Sequence, residues 1–477
     1  MQDEPQRSDL SDDEIAIEQT PPEPEPEEED DFVPSRGLID QIRDAIDEED
    51  QSRLDELLDP MHAADIADVI ENLSASRRRV FLSMWSGEID GDILSEIDES
   101  IRDEVVEQLP KSVLADAVRE MDSDDLVDLI EELEEPEQQE ILAALDESDR
   151  AAVQQSLNYP EYSAGRMMQS EVVTAPEHWT VGEMIDHLRS EEYLPDQFYH
   201  IVLVDPRRHP IGYVTLGRML AARRETRLAD LAEESFRTIR AQAEEADVAY
   251  AFNQYHLISA PVVDEHDRLV GVITIDDAME VLDEEHEEDI LRLAGVGDES
   301  SISDTVVETL WQRIPWLAVN LATAILASFV IAMFEDTISE LVALAVLMPI
   351  VASMGGNAGT QTLTVAVRAL ATKSLTGSNV WRVVGREAVV GVLNGLCFAI
   401  VMGVVAWIWF DGVSLAGVIA VAMVVNLFVA ALAGILVPLA LEKVGADPAL
   451  ASGTFVTTVT DVVGFFAFLG LAQSVLL

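Results

Sequence analysis

The chain has 477 residues and a formal charge of −61, from 90 acidic against 29 basic side chains. So acidic a surface repels the phosphates of nucleic acid and excludes that class of partner. A single cysteine excludes a disulfide within the chain. The charge is uneven: from Pro315 onward eight acids face five bases, a balance of −3, so the first 314 residues hold the other −58. The front is expected to be soluble and acidic, and the back to lie in a membrane. Carboxylates in such excess solvate a protein in a salty cytoplasm and, where clustered, bind divalent cations.

Residues 1–36 carry Pro21-Pro22-Glu23-Pro24-Glu25-Pro26 and the run Glu27 to Asp31. Nothing there can build a core, so a disordered acidic tail is expected, without a cleavable signal peptide. Over residues 37–160 the pattern is helical. Ala64–Leu73, Asp124–Leu133 and Glu137–Leu145 place apolar residues at 3–4 spacing, with start signals at Pro60, Ser123 and Pro136. Short, similar helices predict an all-α superhelical domain. Asp124 and Asp128 lie one turn apart and are spaced to share a cation; the other charges form a solvated face.

Over residues 161–283 strands and helices alternate, and an internal repeat is offset by 59 positions, with Val202–Thr215 matching Pro261–Thr274. Each copy reads strand, Asp turn, Gly, strand, Thr, helix, and Thr180–Leu188 and Asp247–Asn253 supply the preceding helices. This resembles a tandem pair of CBS domains. The resemblance implies a regulatory module and, in many such pairs, an adenine nucleotide such as ATP. The matching positions are Thr274 and Asp276, and the first copy has Gly217 where the second has Asp276.

Residues 284–314 form a connecting segment. Asp277, Glu280, Glu284 and Glu288 fall at i, i+3, i+7 and i+11, a carboxylate stripe whose self-repulsion a divalent ion or high salt would offset. Gly295, Gly297 and Ser300–Ser301 end this helix, and a second amphipathic stretch, Asp304–Arg313, leads into Pro315.

Residues 315–477 hold five apolar segments: Trp316–Phe334, Leu341–Ala371, Val383–Phe410, Leu415–Leu441 and Leu450–Leu477. Each is long enough to cross about 30 Å of hydrocarbon. The second is expected to be a broken helix, interrupted at Met348-Pro349 and at Gly355–Gly359, as helices lining a cavity are. Arg368, Lys373, Arg382, Arg386 and Lys443 mark the cytoplasmic loops, which places the soluble front inside and the C-terminus outside the cell membrane. An odd number of spans suits a pore built between two subunits.

The last segment carries the chemistry. Asp447 before Pro448 reads as an N-cap. Thr454, Thr457, Thr458 and Asp461 share one face, and Asp461 lies fourteen positions past Asp447, roughly 21 Å at about 1.5 Å per residue. A lone carboxylate that deep costs about 2.5–3.5 kcal/mol, so it marks a cation site unless a basic partner neutralises it. The in-span polar groups, among them Asn320, Asn357, Gln361, Asn394 and Asn426, are neutral oxygen donors. Such a set suits a hard cation, and Mg²⁺ ahead of Ca²⁺ because Mg²⁺ keeps its waters. Mn²⁺ and Co²⁺ stay open as alternatives. An intramembrane aspartyl protease needs two deep aspartates, and a flux-free membrane sensor leaves the Thr–Asp stripe without a use.

The order of parts, with Pro349…Gly355-Gly-Asn-Ala-Gly-Thr-Gln361 and Gly445-Ala-Asp-Pro-Ala-Leu-Ala-Ser-Gly453…Asp461, resembles the MgtE family of magnesium channels from about Leu38 to the end. The resemblance implies no enzyme but a homodimer, with the pore between the two last helices. It implies that Asp461 binds hydrated Mg²⁺, with Gly453 and Thr457 lining the same site and Asp447 at the cytoplasmic mouth. It makes the connecting helix a plug, held shut by Mg²⁺ at Asp277, Glu280, Glu285, Glu288 and Asp289, with Asp124 and Asp128 as partners from the helical domain.

Overall fold

The computed structural model describes residues 35–133, 135–190, 194–195, 197–233, 236–296, 306–449 and 452–477. Positions 1–34 of the expected tail and 297–305 of the connecting segment lie outside the described residues. The chain forms two compact units, one reaching to Asp98 together with Glu104–Ala117, the other comprising Glu99–Asp103 and Val118 onward.

The first unit is all helix: α1 (Arg36–Asp47), α2 (Gln51–Leu58), α3 (Ala63–Glu71), α4 (Ala75–Trp85), α5 (Gly91–Ser95) and parts of α6 (Glu99–Gln108) and α7 (Lys111–Glu120). Its core is largely aliphatic, with Ile42, Ile46, Leu54, Leu58, Ile70 and Leu82 fully buried together with Phe81. Side chains of Ser35, Asp50 and Asp90 accept the first free backbone N–H groups of α1, α2 and α5. The start expected at Pro60 falls at Ala63, where His62 and Asp65 form a reciprocal cap. Arg78 is buried and held by Glu104 at 2.6 Å and by the carbonyls of Ile70 and Leu73.

The second unit opens with α8 (Ser123–Glu132), α9 (Glu135–Ala144) and α10 (Glu147–Ser156), which bear out the helices expected at Ser123 and Pro136. The repeat follows. β1 (Thr174–Pro176), α11 (Val181–Leu188), β2 (His200–Val204), β3 (Pro210–Thr215) and α12 (Leu216–Ala221) make the first copy. β4 (Ile239–Arg240), α13 (Glu245–Tyr255), β5 (Ser259–Val263), β6 (Leu269–Thr274) and α14 (Ile275–Ala294) make the second. Each copy has a three-stranded sheet, ordered β1-β2-β3 and β4-β5-β6, with a parallel then an antiparallel pair. Strands β2 and β5, like β3 and β6, stand at the 59-residue offset. The turn between them repeats too: Asp205 binds His209, Asp264 binds Arg268, and Arg208 and Asp267 both take positive φ. Across the two copies His200 Nδ1 is hydrogen-bonded to Ser259 Oγ, two residues that occupy the same position in their repeats.

Five long helices end the chain: α15 (Val306–Ala332), then beyond the short α16 (Glu335–Glu340), α17 (Ala343–Ala371), α18 (Val380–Phe410), α19 (Val413–Lys443) and α20 (Ser452–Leu476). All five are long and apolar enough to cross a membrane. Helix α19 is central, packed by α17, α18 and α20, whereas α15 packs chiefly on α20.

Three expectations need correction. Helix α17 is continuous through Pro349 and the glycines. Proline removes one N–H near the start of the helix, and the glycines serve close packing, not breakage. Helix α15 likewise runs through Pro315 from Val306, so no separate amphipathic stretch precedes the first span among the described residues. Pro448 and Ala449 are not helical, and the described part of the last helix runs from Ser452.

Candidate functional site

Helix α20 presents the expected stripe. Thr457 Oγ1 donates to the carbonyl of Gly453 at 3.0 Å, and Thr458 Oγ1 to that of Thr454 at 2.6 Å. A hydroxyl whose one hydrogen is bonded back into its own helix turns only lone pairs outward. Asp461 is half-buried one turn further on and, among the described residues, makes no hydrogen bond or ion pair. Asp461 lies nine positions past Ser452, the first described residue of the helix, roughly 14 Å at about 1.5 Å per residue. The stripe is half-exposed in the single chain, as a wall facing a passage is.

Asp447 does not cap α20. Its Oδ1 accepts the N–H of Ala449 at 2.7 Å in a local turn, and its Oδ2 receives Arg292 Nη1 at 2.6 Å. Arg292 also bridges to Glu288 at 2.8 Å. Next to it, Leu293 packs into a cluster of Ala449, Val456, Leu363, Val367 and Ala433, and its carbonyl lies against Gly453. The end of α14 is thus seated where α20 begins. On the same side, Lys373 in the loop after α17 pairs with Asp247 of α13.

The carboxylates along α14 fall into two groups. Near its start, Asp277 closes a reciprocal cap with Thr274, whose hydroxyl it accepts at 2.6 Å. It faces Asp124, which is buried on α8. Burial, then Asp277, Asp125 and Asp122, push the Asp124 carboxyl well above the usual carboxylate range. Burial, then Asp277, Asp122, Glu280 and Asp128, push Asp125 up to about 7, and burial pushes Asp277 up to about 6 against the pull of Thr274. Midway along α14, burial and then Glu285, Glu288 and Asp128 push Glu245 up to about 7. Burial, Asp447 and Glu285 raise Asp289. Glu280 is exposed. Packed acids that resist ionisation are places where a cation would relieve the charge.

Asp124 and Asp128 do not converge. Asp128 is exposed and bound to Arg102 at 2.6 Å, while Asp124 turns inward to Asp277. Among the described residues no three His, Cys, Asp or Glu side chains stand close enough to hold a metal ion. The cluster is therefore not a finished metal cage among the described residues. Asp276 is exposed in the first turn of α14. The hydroxyl of Thr274 is engaged by Asp277.

Sequence reasoning gave no role to Asp122, Asp125 and Glu245, although the run Asp122-Ser-Asp-Asp was a signal. Asn426, expected among the in-span oxygen donors, is instead fully buried on α19 as a packing group and donates to the carbonyl of Val351 at 2.7 Å. Its amide lies between Gly355 of α17 and Gly464 of α20; a Cβ at these positions would meet it at 2.3 and 3.0 Å. Asn426 thereby fixes the α20 turn after Asp461 against two other helices.

Family models match most of the chain: the MgtE intracellular N domain over 61–162, CBS domains over 164–225 and 228–284, and MgtE, a divalent cation transporter, over 348–471. A magnesium transporter MgtE of Thermus thermophilus is 33% identical over 329 residues, covering 68% of this chain and 73% of that protein. One of Enterococcus faecalis is 32% identical over 321 residues, covering 67% and 71%. Among solved structures, the cytosolic domain of the Mg²⁺ channel MgtE in complex with ATP is 29% identical with a TM-score of 0.48, covering 51% of this chain and 99% of that one.

Proposed function

The chain belongs to the MgtE family of magnesium transporters, and from that premise we propose that it imports Mg²⁺ across the cell membrane through a pore walled by α20, with Asp461 as the carboxylate that meets the ion. The observation that carries this reading is the pairing of an unpartnered Asp461 with threonine hydroxyls whose donors are already engaged. Mg²⁺ sheds water reluctantly, so Asp461, Thr457 and the backbone at Gly453 would hold it through its hydration shell. One chain supplies one carboxylate, so the pore is completed by a second copy in a homodimer. The soluble part then lies in the cytoplasm and the C-terminus outside.

In this reading α14 is the gate. When internal Mg²⁺ is scarce, Asp124 against Asp277, and Glu245 against Glu285 and Glu288, can ionise only at a cost while packed, which favours the elements moving apart. When it is abundant, ions neutralise these groups, with Glu280, Asp289 and Asp128 at their margin, and the end of α14 stays seated beside Asp447. The closed population grows only as far as Mg²⁺ binds it better than the open one. An adenine nucleotide at the CBS pair would meet Asp276; Thr274, tied to Asp277, orients the helix instead.

The test is Mg²⁺ uptake into proteoliposomes by wild type and by Asp461→Ala, with Mn²⁺, Co²⁺ and Ca²⁺ as competitors. Loss of uptake in a folded variant is expected. A wild type that carries no Mg²⁺ at any internal concentration defeats the reading, and a preference for Mn²⁺ or Co²⁺ reassigns the cargo.

A further inference from the structure

Away from α20, on the opposite face of α17, the bundle holds a cavity of about 150 Å³ between α17, α18 and α19. Glu387 lines it, two turns into the third span, with its side chain only 14% exposed. Arg386 binds Glu387 through Oε1 alone, at 3.2 and 2.9 Å, and Oε2 has no partner among the described residues. The cavity is half open: Gln361 of α17 and Asn394 of α18 on its rim are exposed, Thr362 of α17 is half-buried, and none of the three side chains makes a hydrogen bond among the described residues.

Near the cytoplasmic end of an apolar helix this combination calls for an occupant. Hydrocarbon satisfies neither amide nor carboxylate, and an ionisable group inside a span ordinarily faces a partner or a wet cavity. The volume accommodates about five waters at roughly 30 Å³ each. The possible donors are oxygens throughout, one of them charged, which is the set a hard, partly hydrated cation takes. We infer that this cavity is a second cation site in the membrane part, holding a hydrated divalent ion through Glu387 Oε2 with Gln361, Asn394 and Thr362 as neutral donors. It is separate from the stripe of α20 and does not depend on Asp461.

The native Cys397, the only cysteine, is exposed on α18 one turn past Asn394 and supplies the probe. A nitroxide placed there on the full chain in nanodiscs should be quenched by Mn²⁺ bound in the cavity, within about 15 Å along the helix. Quenching is expected in wild type and to the same degree in Asp461→Ala. In Glu387→Gln it should require about tenfold to a hundredfold more Mn²⁺. Gln361→Met, which removes one amide and keeps the length, should weaken it in the same direction and serves if the Glu387 variant does not fold. No quenching in wild type, quenching unchanged in both cavity variants, or quenching lost in Asp461→Ala would each overturn the proposal. The uptake assay reads the α20 pore independently.

Discussion

Arg292 near the end of α14 and Asp447 ahead of α20 are joined at 2.6 Å although 155 positions separate them in the chain. Arg292 is thus a covalently tethered cation among carboxylates that otherwise call for a mobile one. Arg292→Gln should leave Glu288 and Asp447 uncompensated, so the seated position of α14 weakens when Mg²⁺ is low. A partly exposed pair contributes about 1 kcal/mol, a factor of about five in population. Flux at low internal Mg²⁺ should rise by about that factor, and its inhibition by added internal Mg²⁺ should become steeper. Uptake measured against a series of internal Mg²⁺ concentrations checks both.

The double change Glu288→Gln with Asp289→Asn removes two carboxylates beside this contact. Flux should become less sensitive to internal Mg²⁺. Inhibition identical to wild type would remove both residues from the sensor.

Protons should imitate Mg²⁺ at the start of α14. Asp125 is raised to about 7 and Asp277 to about 6, above the ordinary carboxylate value. A carboxyl with a raised folded pKa contributes stability that is complete below its unfolded value and fades as pH rises through the folded one. In chelator, the thermal midpoint of the soluble part should therefore rise as pH falls from about 7 to about 4. Saturating Mg²⁺ should flatten that slope, because ion and proton compete for the same oxygens. Asp125→Asn should flatten it in chelator alone.

Asn426 should couple packing to permeation. Gly355→Ala would set a methyl 2.3 Å from its amide nitrogen, so helices must shift. Overpacking of this kind costs about 1–3 kcal/mol. Asn426→Ala removes one interhelical hydrogen bond, about 0.6 kcal/mol within a bundle. Thermal unfolding in detergent should rank the glycine variant below the asparagine variant. Both should carry less Mg²⁺ per folded protein, since the α20 turn after Asp461 loses its seat.

Local signals and long-range contacts account for what the sequence did and did not disclose. The offset of 59 positions passed directly into paired strands because a repeat is legible without knowing where it packs. The five apolar segments and the face shared by Thr457 and Asp461 were legible for the same reason. The break in α17 was misread because glycine and proline mean interruption in water, whereas in a bundle glycines admit neighbours such as Asn426 and Val456. The Asp447 cap was misread because an Asp–Pro pair fits a helix start and a turn equally well, and Arg292 lies 155 residues away. Asp124 and Asp128 had the right spacing, but Arg102 took one of them and burial against Asp277 took the other.

The bond between His200 and Ser259 bears on the symmetry of the repeat. A residue that meets its own counterpart stands on the twofold axis relating two equal halves. In an assembly of separate, identical units that position would hold one residue type facing itself. Once the halves share a single chain, each side can change alone, and an imidazole can face a hydroxyl.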